Sequence, residues 1–269
     1  MMTNKDYVKP GDFKPIDLLA VAAAREVNDG EVVFAGTGLP MLAIMLAQLT
    51  SAPSAVCIYE AGTVDGRPIS LPTSVGDARC AYQASIASGL FDVFGQLQRG
   101  RVDLAFLGGA EIDQYGNVNT TAMGGYYPMG KRLTGSGGNN DINALAKRTV
   151  FIMIQEKRRF VERCSYITSP GWRIPKWPEG DFVHKREVYG KAFRGGPGAV
   201  ISNMGVFRFD DDGIMYLDTV HPGFTPEQVK ENCSFDLNIS RVSGKTELPT
   251  YRDLELLYND IDPEGIFLP

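Results

Sequence analysis

In the stretch Ala55-Val-Cys-Ile-Tyr-Glu-Ala-Gly62, an apolar run ends on a carboxylate and a small turn. The apolar residues predict a buried strand, with Glu60 at its C-terminal end. In open α/β sheets, the loops at the C-terminal ends of the strands form the crevice in which ligands bind. We therefore expect Glu60 to lie at the mouth of a binding site.

Two other strand-like runs end in glycine. Residues 31–35 lead into Gly36-Thr37-Gly38, and residues 102–107 lead into Gly108-Gly109-Ala110. Glycine lets the backbone approach a ligand closely, so each turn can present N–H groups. If the three strands lie side by side, Glu60 is flanked by two patches of backbone N–H.

The alternation of strands and helices predicts an α/β fold with an open, mostly parallel sheet flanked by helices. Residues 1–15 are polar and are expected to form an N-terminal arm, followed by a single domain over 16–269. Asp-Asp-Asp-Gly213 between two apolar runs predicts a C-terminal β-hairpin region. The predicted helices cover residues 17–28 with Asp17 as the N-cap, then 40–49, 79–88 and 141–147, with a further helix from about residue 226.

Composition restricts the possible functions. The chain has 269 residues, 43% of them hydrophobic, and a net charge of −5, which argues against a nucleic-acid groove or an anionic membrane surface. A small soluble substrate is expected. The four cysteines form no C-x-x-C pair, so we expect reduced, buried thiols and no metal site. With no signal sequence and no 18-residue apolar stretch, we expect a cytoplasmic protein.

Glu60 allows two interpretations from the residues alone. The carboxylate either caps a turn or pairs with a basic side chain, or it acts as a nucleophile, because carboxylates form covalent intermediates when placed and partly desolvated. A reacting carbonyl beside it would need oxyanion donors. The glycine turns at 36–38 and 108–110 could supply them as backbone N–H groups.

Two further segments are candidates for ligand contact. The glycine-rich run Gly135-Ser136-Gly137-Gly138-Asn139 precedes a predicted helix and could present N–H groups to a ligand, although no P-loop Gly-Lys-Ser/Thr follows. The basic cluster Glu156-Lys-Arg-Arg159 could meet phosphates, or form a solvated face or subunit contact. His184 and His221 have no apparent partner, which disfavours a histidine triad or metal site.

Several motifs occur in an order and spacing that resembles the β subunits of family I CoA-transferases, from about residue 16 to 262. The resemblance implies the corresponding fold, which is of the NagB/RpiA type. The motifs are Gly36-Thr-Gly-Leu-Pro40, Glu60-x-Gly62, Ser74-Val-Gly-Asp77, the run from Gly108 to Asn119, Thr134-Gly-Ser-Gly-Gly138, Glu156-Lys-Arg-Arg-Phe160 and Thr168-Ser-Pro-Gly-Trp172.

The resemblance implies a ping-pong reaction in which Glu60 is the catalytic nucleophile. CoA moves from an acyl-CoA to a free dicarboxylic or aromatic-type carboxylic acid through a glutamyl-CoA thioester, with coenzyme A as co-substrate and no metal. It further implies that Gly108 and Gly109 lie at the oxyanion site with Thr37 and Gly38 nearby. Gly135, Ser136, Gly137, Gly138 and Asn139 correspond to a loop that binds CoA on its pantetheine side.

The resemblance also implies a separate α subunit of similar fold, in an α2β2 or larger assembly with the active site shared between subunits. One position departs from the family pattern, because Ala61 stands where Asn or Ser commonly follows the glutamate. Two alternatives therefore remain. In the first alternative, the chain is a CoA-ester hydrolase or lyase (decarboxylase) with Glu60 as a general base. In the second, it is a non-catalytic partner subunit.

Overall fold

The computed structural model describes residues 6–176, 180–190 and 194–268. Residues 1–5 of the predicted arm lie outside the described residues. Seven α-helices lie within the described part of the chain. They are, in order, α1 (Pro15–Ala24), α2 (Leu39–Leu49), α3 (Leu90–Gln98), α4 (Asn139–Leu145), α5 (Lys185–Tyr189), α6 (Pro226–Glu231) and α7 (Tyr251–Glu255).

The strands are short, and the apolar ones are buried. In chain order they are β1 (Val32–Ala35), β2 (Val56–Tyr59), β3 (Thr63–Val64), β4 (Ile86–Ala87), β5 (Leu104–Leu107), β6 (Glu111–Ile112), β7 (Val118–Asn119), β8 (Ala122–Tyr126), β9 (Met129–Arg132), β10 (Arg148–Ile152), β11 (Arg173–Pro175), β12 (Phe182–His184), β13 (Pro197–Ile201), β14 (Gly205–Phe209), β15 (Met215–Val220) and β16 (Gly244–Lys245).

The chain divides into two compact units. Unit 1 runs through Phe106 and resumes at Glu247, and unit 2 is Leu107–Thr246. In unit 1, β1 pairs in parallel with both β2 and β5, and β3 and β4 add antiparallel strands beyond β2. Helices α1 and α2 pack together, and residues 41–47 of α2 are buried on every side, as expected for a central helix.

In unit 2, β10 pairs in parallel with β13, which continues through antiparallel β14 and β15 to β16. Asp210 Oδ1 accepts hydrogen bonds from the N–H groups of Asp212 and Ile214 at 3.1 and 2.9 Å, which fixes the turn between β14 and β15. The predicted α/β class, with an open, mostly parallel sheet and a C-terminal hairpin, is confirmed. The single-domain boundary stays a prediction.

The predicted helix over 79–88 is wrong. A 3-10 turn covers Ala78–Ala81, and the chain then returns to pair with β3, because the Ser85 N–H donates to Val64 O at 3.1 Å and the Arg67 N–H to Tyr82 O at 2.8 Å. These long-range bonds satisfy backbone groups that a helix would have satisfied locally. Thr63–Val64 and Ile86–Ala87 are consequently paired strands.

The predicted N-cap of the first helix is also wrong. Pro15 begins α1, since its fixed φ suits a first helical position, and Lys14 is the N-cap. Asp17 lies in the first turn, where its carboxylate accepts from the Lys14 N–H at 2.8 Å and from the Tyr258 hydroxyl at 2.8 Å.

Other sequence expectations can be compared directly with the structure. All four cysteines are free and buried, as predicted. No helix in the described residues is both long enough and apolar enough to cross a membrane.

Candidate active site

Glu60 directly follows β2 and begins a tight turn. The Gly62 N–H donates to Tyr59 O at 3.0 Å, which reverses the chain into β3. Ala35 of β1 pairs with Tyr59 of β2, so the turns that follow these two strands start at the same edge of the sheet. The predicted position of Glu60, at the C-terminal end of a parallel strand, is confirmed.

The Glu60 carboxylate is half-buried and has no hydrogen-bond or ion-pair partner among the described residues. Partial burial raises its pKa above the ordinary glutamate value, because removal from water disfavours the charged form. The capping or salt-bridging role that the sequence left open for Glu60 is therefore not seen. A partly desolvated, unpaired carboxylate is suited to nucleophilic or general-base chemistry.

Gly62 fixes the turn that holds Glu60. Its carbonyl accepts from the Ser88 N–H at 3.1 Å and from the Ser88 hydroxyl at 2.8 Å. A β-carbon at Gly62 would lie 2.3 Å from Ser88 O, and its φ of +128° belongs to glycine. No other residue fits this position without moving the turn.

Thr37 and Gly38 occupy the turn after β1, the strand next to β2. Gly38 has φ +88° and caps α2, and neither residue's N–H donates a backbone hydrogen bond within the described residues. One predicted arrangement is wrong: β1 lies between β2 and β5, so Glu60 is not placed between two glycine turns. The three strands do lie side by side, which was the condition for that arrangement.

The Ser74-Val-Gly-Asp77 motif packs beside the residue that departs from the family pattern. A β-carbon at Gly76 would lie 3.8 Å from the β-carbon of Ala61, an ordinary contact. Asp77 organises the motif by accepting hydrogen bonds from Arg79 and from Thr73, and these hydrogen bonds hold the pKa of its carboxyl well below the usual range. The small Ala61 thus faces a rigid turn.

A cavity of about 690 Å³ lies within unit 2, a volume suited to a small ligand. It is lined by the predicted oxyanion residues Gly108 and Gly109, by Thr134 and Asn139 of the glycine-rich segment, and by two arginines, Arg132 and Arg159. The N–H groups of Gly108 and Gly109 donate no backbone hydrogen bond in the described chain. Of the predicted CoA-binding residues, Asn139 therefore lines the same cavity as Gly108 and Gly109, whereas Gly135, Ser136, Gly137 and Gly138 do not line it.

The glycine-rich segment is held by neighbouring backbone. The Gly135 N–H donates to Thr120 O at 2.9 Å, and the Asn139 N–H donates to Ser136 O at 2.9 Å. Gly135 and Gly137 have φ values of +98° and +49°, so both use conformations that favour glycine. Gly138 is the N-cap of α4, which begins at Asn139 and not at the predicted residue 141.

Several motif residues turned out to support the cavity wall. Asn119 donates to Glu111 at 2.7 Å, and Glu111 in turn accepts from the N–H and the hydroxyl of Ser165. The Thr168 hydroxyl bonds the Thr121 hydroxyl at 2.8 Å and accepts from the N–H of Thr120. The motifs are visible in the sequence, but the sequence does not indicate that these side chains support the cavity wall.

A second network joins the turn at 113–117 to the Thr168–Trp172 motif. Asn117 donates to both Asp113 oxygens, at 3.1 and 2.9 Å, and accepts from the Gly171 N–H at 2.7 Å. Burial raises the pKa of Asp113 to about 7. A β-carbon at Gly171 would lie 2.1 Å from Tyr115 O, which explains why glycine stands there.

The two histidines have partners that the sequence did not reveal. His221 bonds Thr246 Oγ1 at 2.8 Å, and burial lowers its pKa to about 4. The His184 ring accepts from the Arg186 N–H. No group of three or more His, Cys, Asp or Glu residues in the described ranges is arranged to hold a metal.

The chain is similar to known proteins over most of its length. A family model described as Coenzyme A transferase matches residues 16–232. The chain is 38% identical over 259 residues to the β subunit of glutaconate CoA-transferase of Acidaminococcus fermentans, covering 94% of each chain. It is 37% identical over 243 residues to the β subunit of 3-oxoadipate CoA-transferase of Pseudomonas knackmussii, covering 90% of each.

The same relationship appears in three dimensions. The chain superposes on a chain from the crystal structure of glutaconate coenzyme A-transferase from Acidaminococcus fermentans with a TM-score of 0.87 and 35% identity. The match covers 98% of this chain and 99% of that one.

Proposed function

The chain belongs to the coenzyme A transferase family, and from this premise we propose that it is the subunit that carries the nucleophile, Glu60, of a heteromeric CoA-transferase. One observation carries the proposal. Glu60 is a half-buried carboxylate without a partner in the described chain, directly after a parallel strand, and burial raises its pKa. Partial desolvation of such a group lowers stability, and carboxylates of this kind are concentrated at functional sites.

The proposed reaction proceeds in balanced steps. A Glu60 oxygen attacks the thioester carbon of the acyl-CoA and the C–S bond breaks. CoA departs as its thiolate, and a mixed acyl-glutamyl anhydride is formed on Glu60. The thiolate then attacks the glutamyl carbonyl and expels the first acid as its carboxylate, which leaves a glutamyl-CoA thioester. A second carboxylate reverses these two steps, departs as its CoA ester and regenerates Glu60.

Backbone N–H groups are proposed to stabilise the oxyanions of these steps. Gly108 and Gly109, with Thr37 and Gly38, offer N–H groups that donate no backbone hydrogen bond in the described residues. The loop from Gly135 to Asn139 is proposed to contact CoA. Because the thioester bond is conserved on Glu60, the reaction needs no ATP, provided that water is excluded from the anhydride.

The acyl substrate is proposed to be a dicarboxylic acid. Two relatives are named for glutaconate and 3-oxoadipate, and the unit 2 cavity is lined by two arginines, side chains that bind carboxylates well. An aromatic-type acid, the other class that the sequence suggested, is favoured by no feature of this cavity.

A second type of subunit is expected, because each of these two relatives is named as one subunit of its enzyme. We propose an α subunit of similar fold in an α2β2 or larger assembly, docked on the edge of unit 1 formed by β4 and the start of α3. There Tyr82, Ile86, Leu90 and Phe91 are exposed, and Phe91 is 89% exposed. Contiguous exposed apolar side chains are typical of interaction surfaces.

This surface is continuous with the Glu60 turn. Ser88, between β4 and α3, donates two hydrogen bonds to Gly62, and Gly89 lies close to the same glycine. The strand β4 also ends the sheet of unit 1, so its open edge is free to be covered. A subunit bound here would close over the turn that holds the nucleophile.

Phe91→Ser is expected to weaken assembly with the α subunit about 30-fold, the effect of removing an aromatic side chain from the centre of an interface. Stability of the chain alone should hardly change, since Phe91 makes little contact within it. Sedimentation of mixed subunits measures the effect. Tyr251→Ser, which removes an exposed aromatic side chain elsewhere in unit 1, is the control. Equal association of both variants and the wild type would rule out this surface.

Covalent trapping tests the proposed function. The complex with the α subunit is incubated with an acyl-CoA and hydroxylamine, and its peptides are analysed by mass spectrometry. We expect a hydroxamate on the Glu60 peptide only, formed only when the CoA ester is present. Labelling should slow as the pH falls through the raised pKa of Glu60, because the protonated acid is not a nucleophile.

The opposite result has a defined meaning. A complex that consumes the CoA ester while Glu60 stays unmodified would favour hydrolysis or decarboxylation, with Glu60 as a general base. Trapping that is insensitive to pH across the titration of Glu60 would contradict the assignment of its carboxylate as the attacking group.

A further inference from the structure

We propose that Arg132 and Arg159 form an oxyanion-binding subsite in the unit 2 cavity, for a carboxylate or phosphate group of the ligand remote from the reacting carbonyl. The identity of the ligand rests on the proposed function, because an acyl-CoA with a dicarboxylic acyl group carries both kinds of anion. The subsite itself is inferred from side-chain positions and from polar atoms that lack partners.

Arg132 stands at the end of β9, against the glycine-rich segment. A β-carbon at Gly135 would lie 3.1 Å from an Arg132 guanidinium nitrogen, so the side chain reaches over this turn. No hydrogen bond or ion pair of Arg132 occurs among the described residues. Its charge is therefore available to a ligand that enters the cavity which Arg132 and Asn139 line.

Arg159 comes from the basic cluster but differs from its neighbour. Glu156 accepts a hydrogen bond from Arg158 Nε at 2.6 Å, and the same carboxylate oxygen forms a longer ion pair with Arg159 Nε at 3.6 Å, beyond hydrogen-bond distance. Arg159 Nε is buried and has no hydrogen-bond partner in the described chain. Arg158 points its charge to solvent and does not line the cavity, whereas Arg159 does.

A second polar atom in the cavity wall also has no hydrogen bond. Thr120 is 9% exposed, and its hydroxyl has no hydrogen-bond partner among the described residues. Buried polar atoms are nearly always paired, so two unpaired atoms in one wall point to an absent ligand or water. Among the described residues that line this cavity none is acidic, and a guanidinium fork matches the geometry of carboxylate and phosphate oxygens.

Equilibrium binding to the complex with the α subunit tests the subsite. The probes are glutarate and butyrate, which differ by one carboxylate, and CoA and pantetheine, of which only CoA carries phosphates, together with its adenosine. We expect Arg132→Gln and Arg159→Gln to weaken binding of glutarate, or of CoA, about 10- to 100-fold, as loss of a charge-assisted contact should. Butyrate and pantetheine should bind the variants as they bind the wild type.

Arg158→Gln is the matched control, because it removes the same charge from the same cluster outside the cavity. A loss confined to glutarate assigns the subsite to the acyl carboxylate, and a loss confined to CoA assigns it to a phosphate. Equal affinities in all variants, equal losses in Arg158→Gln, or no binding of any probe by the wild type would overturn the proposal. None of the probes reacts alone, so these results are independent of labelling at Glu60.

Discussion

Replacement of Glu60 by glutamine is expected to reduce CoA transfer at least about 10⁴-fold, the scale on which loss of a nucleophile acts in covalent catalysis. The amide keeps the shape of the side chain but cannot form the anhydride. Affinity for the CoA ester should stay within a few-fold of wild type, because the nucleophile contributes little to ground-state binding. Single-turnover rates and equilibrium titration of the complex measure the two quantities separately.

The stability of this variant provides a second check. The raised pKa of Glu60 means that folding favours its protonated form, so its favourable contribution is present at acid pH and is lost as the pH rises through the folded-state pKa. Glutamine does not ionise, so the variant does not lose this contribution to stability as the pH rises. Glu60→Gln should therefore unfold at the same or a higher temperature than wild type at neutral pH, and the difference should shrink in acid.

Glu264→Gln is the control, since Glu264 is an exposed glutamate of unit 1. It should leave both transfer and melting temperature unchanged. Transfer by Glu60→Gln within a few-fold of wild type would remove the nucleophile assignment, and would leave a structural role for Glu60 in a non-catalytic subunit.

The position of Glu60 was predictable for a physical reason. Strands of a parallel sheet are buried on both faces, so they appear as unbroken apolar runs whose ends are visible in the sequence. The runs at β1, β2 and β5 were each identified within two residues of their observed bounds. Residues just after such runs lie at the same edge of the sheet, irrespective of the structure of the rest of the chain.

The arrangement that depends on distant residues was not predictable in this way. Residues 79–88 carry small and apolar side chains compatible with a helix, but their backbone pairs with residues 63–67 instead. The approach is so close that a β-carbon at Gly66 would lie 1.9 Å from Cys80 O. Strand formation of this kind is decided by cross-strand partners, which a local pattern does not contain.

For the candidate ligand contacts, too, the sequence showed the local motifs, and the structure showed which residues lie together. The glycine-rich segment and the basic cluster were recognised separately, and only the structure showed that Arg132, Arg159 and Asn139 line one cavity. The members of the cluster also differ from one another, because Glu156 forms a hydrogen bond with Arg158 but only a longer ion pair with Arg159, and Arg159 alone of the two lines the cavity. A run of charges in the sequence does not tell which of its members is turned inward.

Gly62→Ala is expected to lower the free energy of unfolding by about 2–5 kcal/mol, the combined scale of overpacking and of a glycine-only backbone conformation. The added methyl would meet Ser88 O at 2.3 Å, and the φ of +128° is strained for alanine. Chemical denaturation measures the loss. Gly76→Ala is the matched control, because its β-carbon would make only ordinary contacts at 3.8 Å, with Ala61 and Ser74.

Function should fall further than stability in Gly62→Ala, because the turn can relieve the clash only by moving away from Ser88. That movement breaks the two hydrogen bonds that Ser88 donates to Gly62, and it displaces Glu60, which lies two residues earlier on the same turn. Molecules that remain folded should thus show slow labelling at Glu60, whereas Gly76→Ala should be labelled at the wild-type rate. Wild-type labelling in folded Gly62→Ala would mean that the nucleophile tolerates movement of its turn, and that the precise placement set by Gly62 does not control its reactivity.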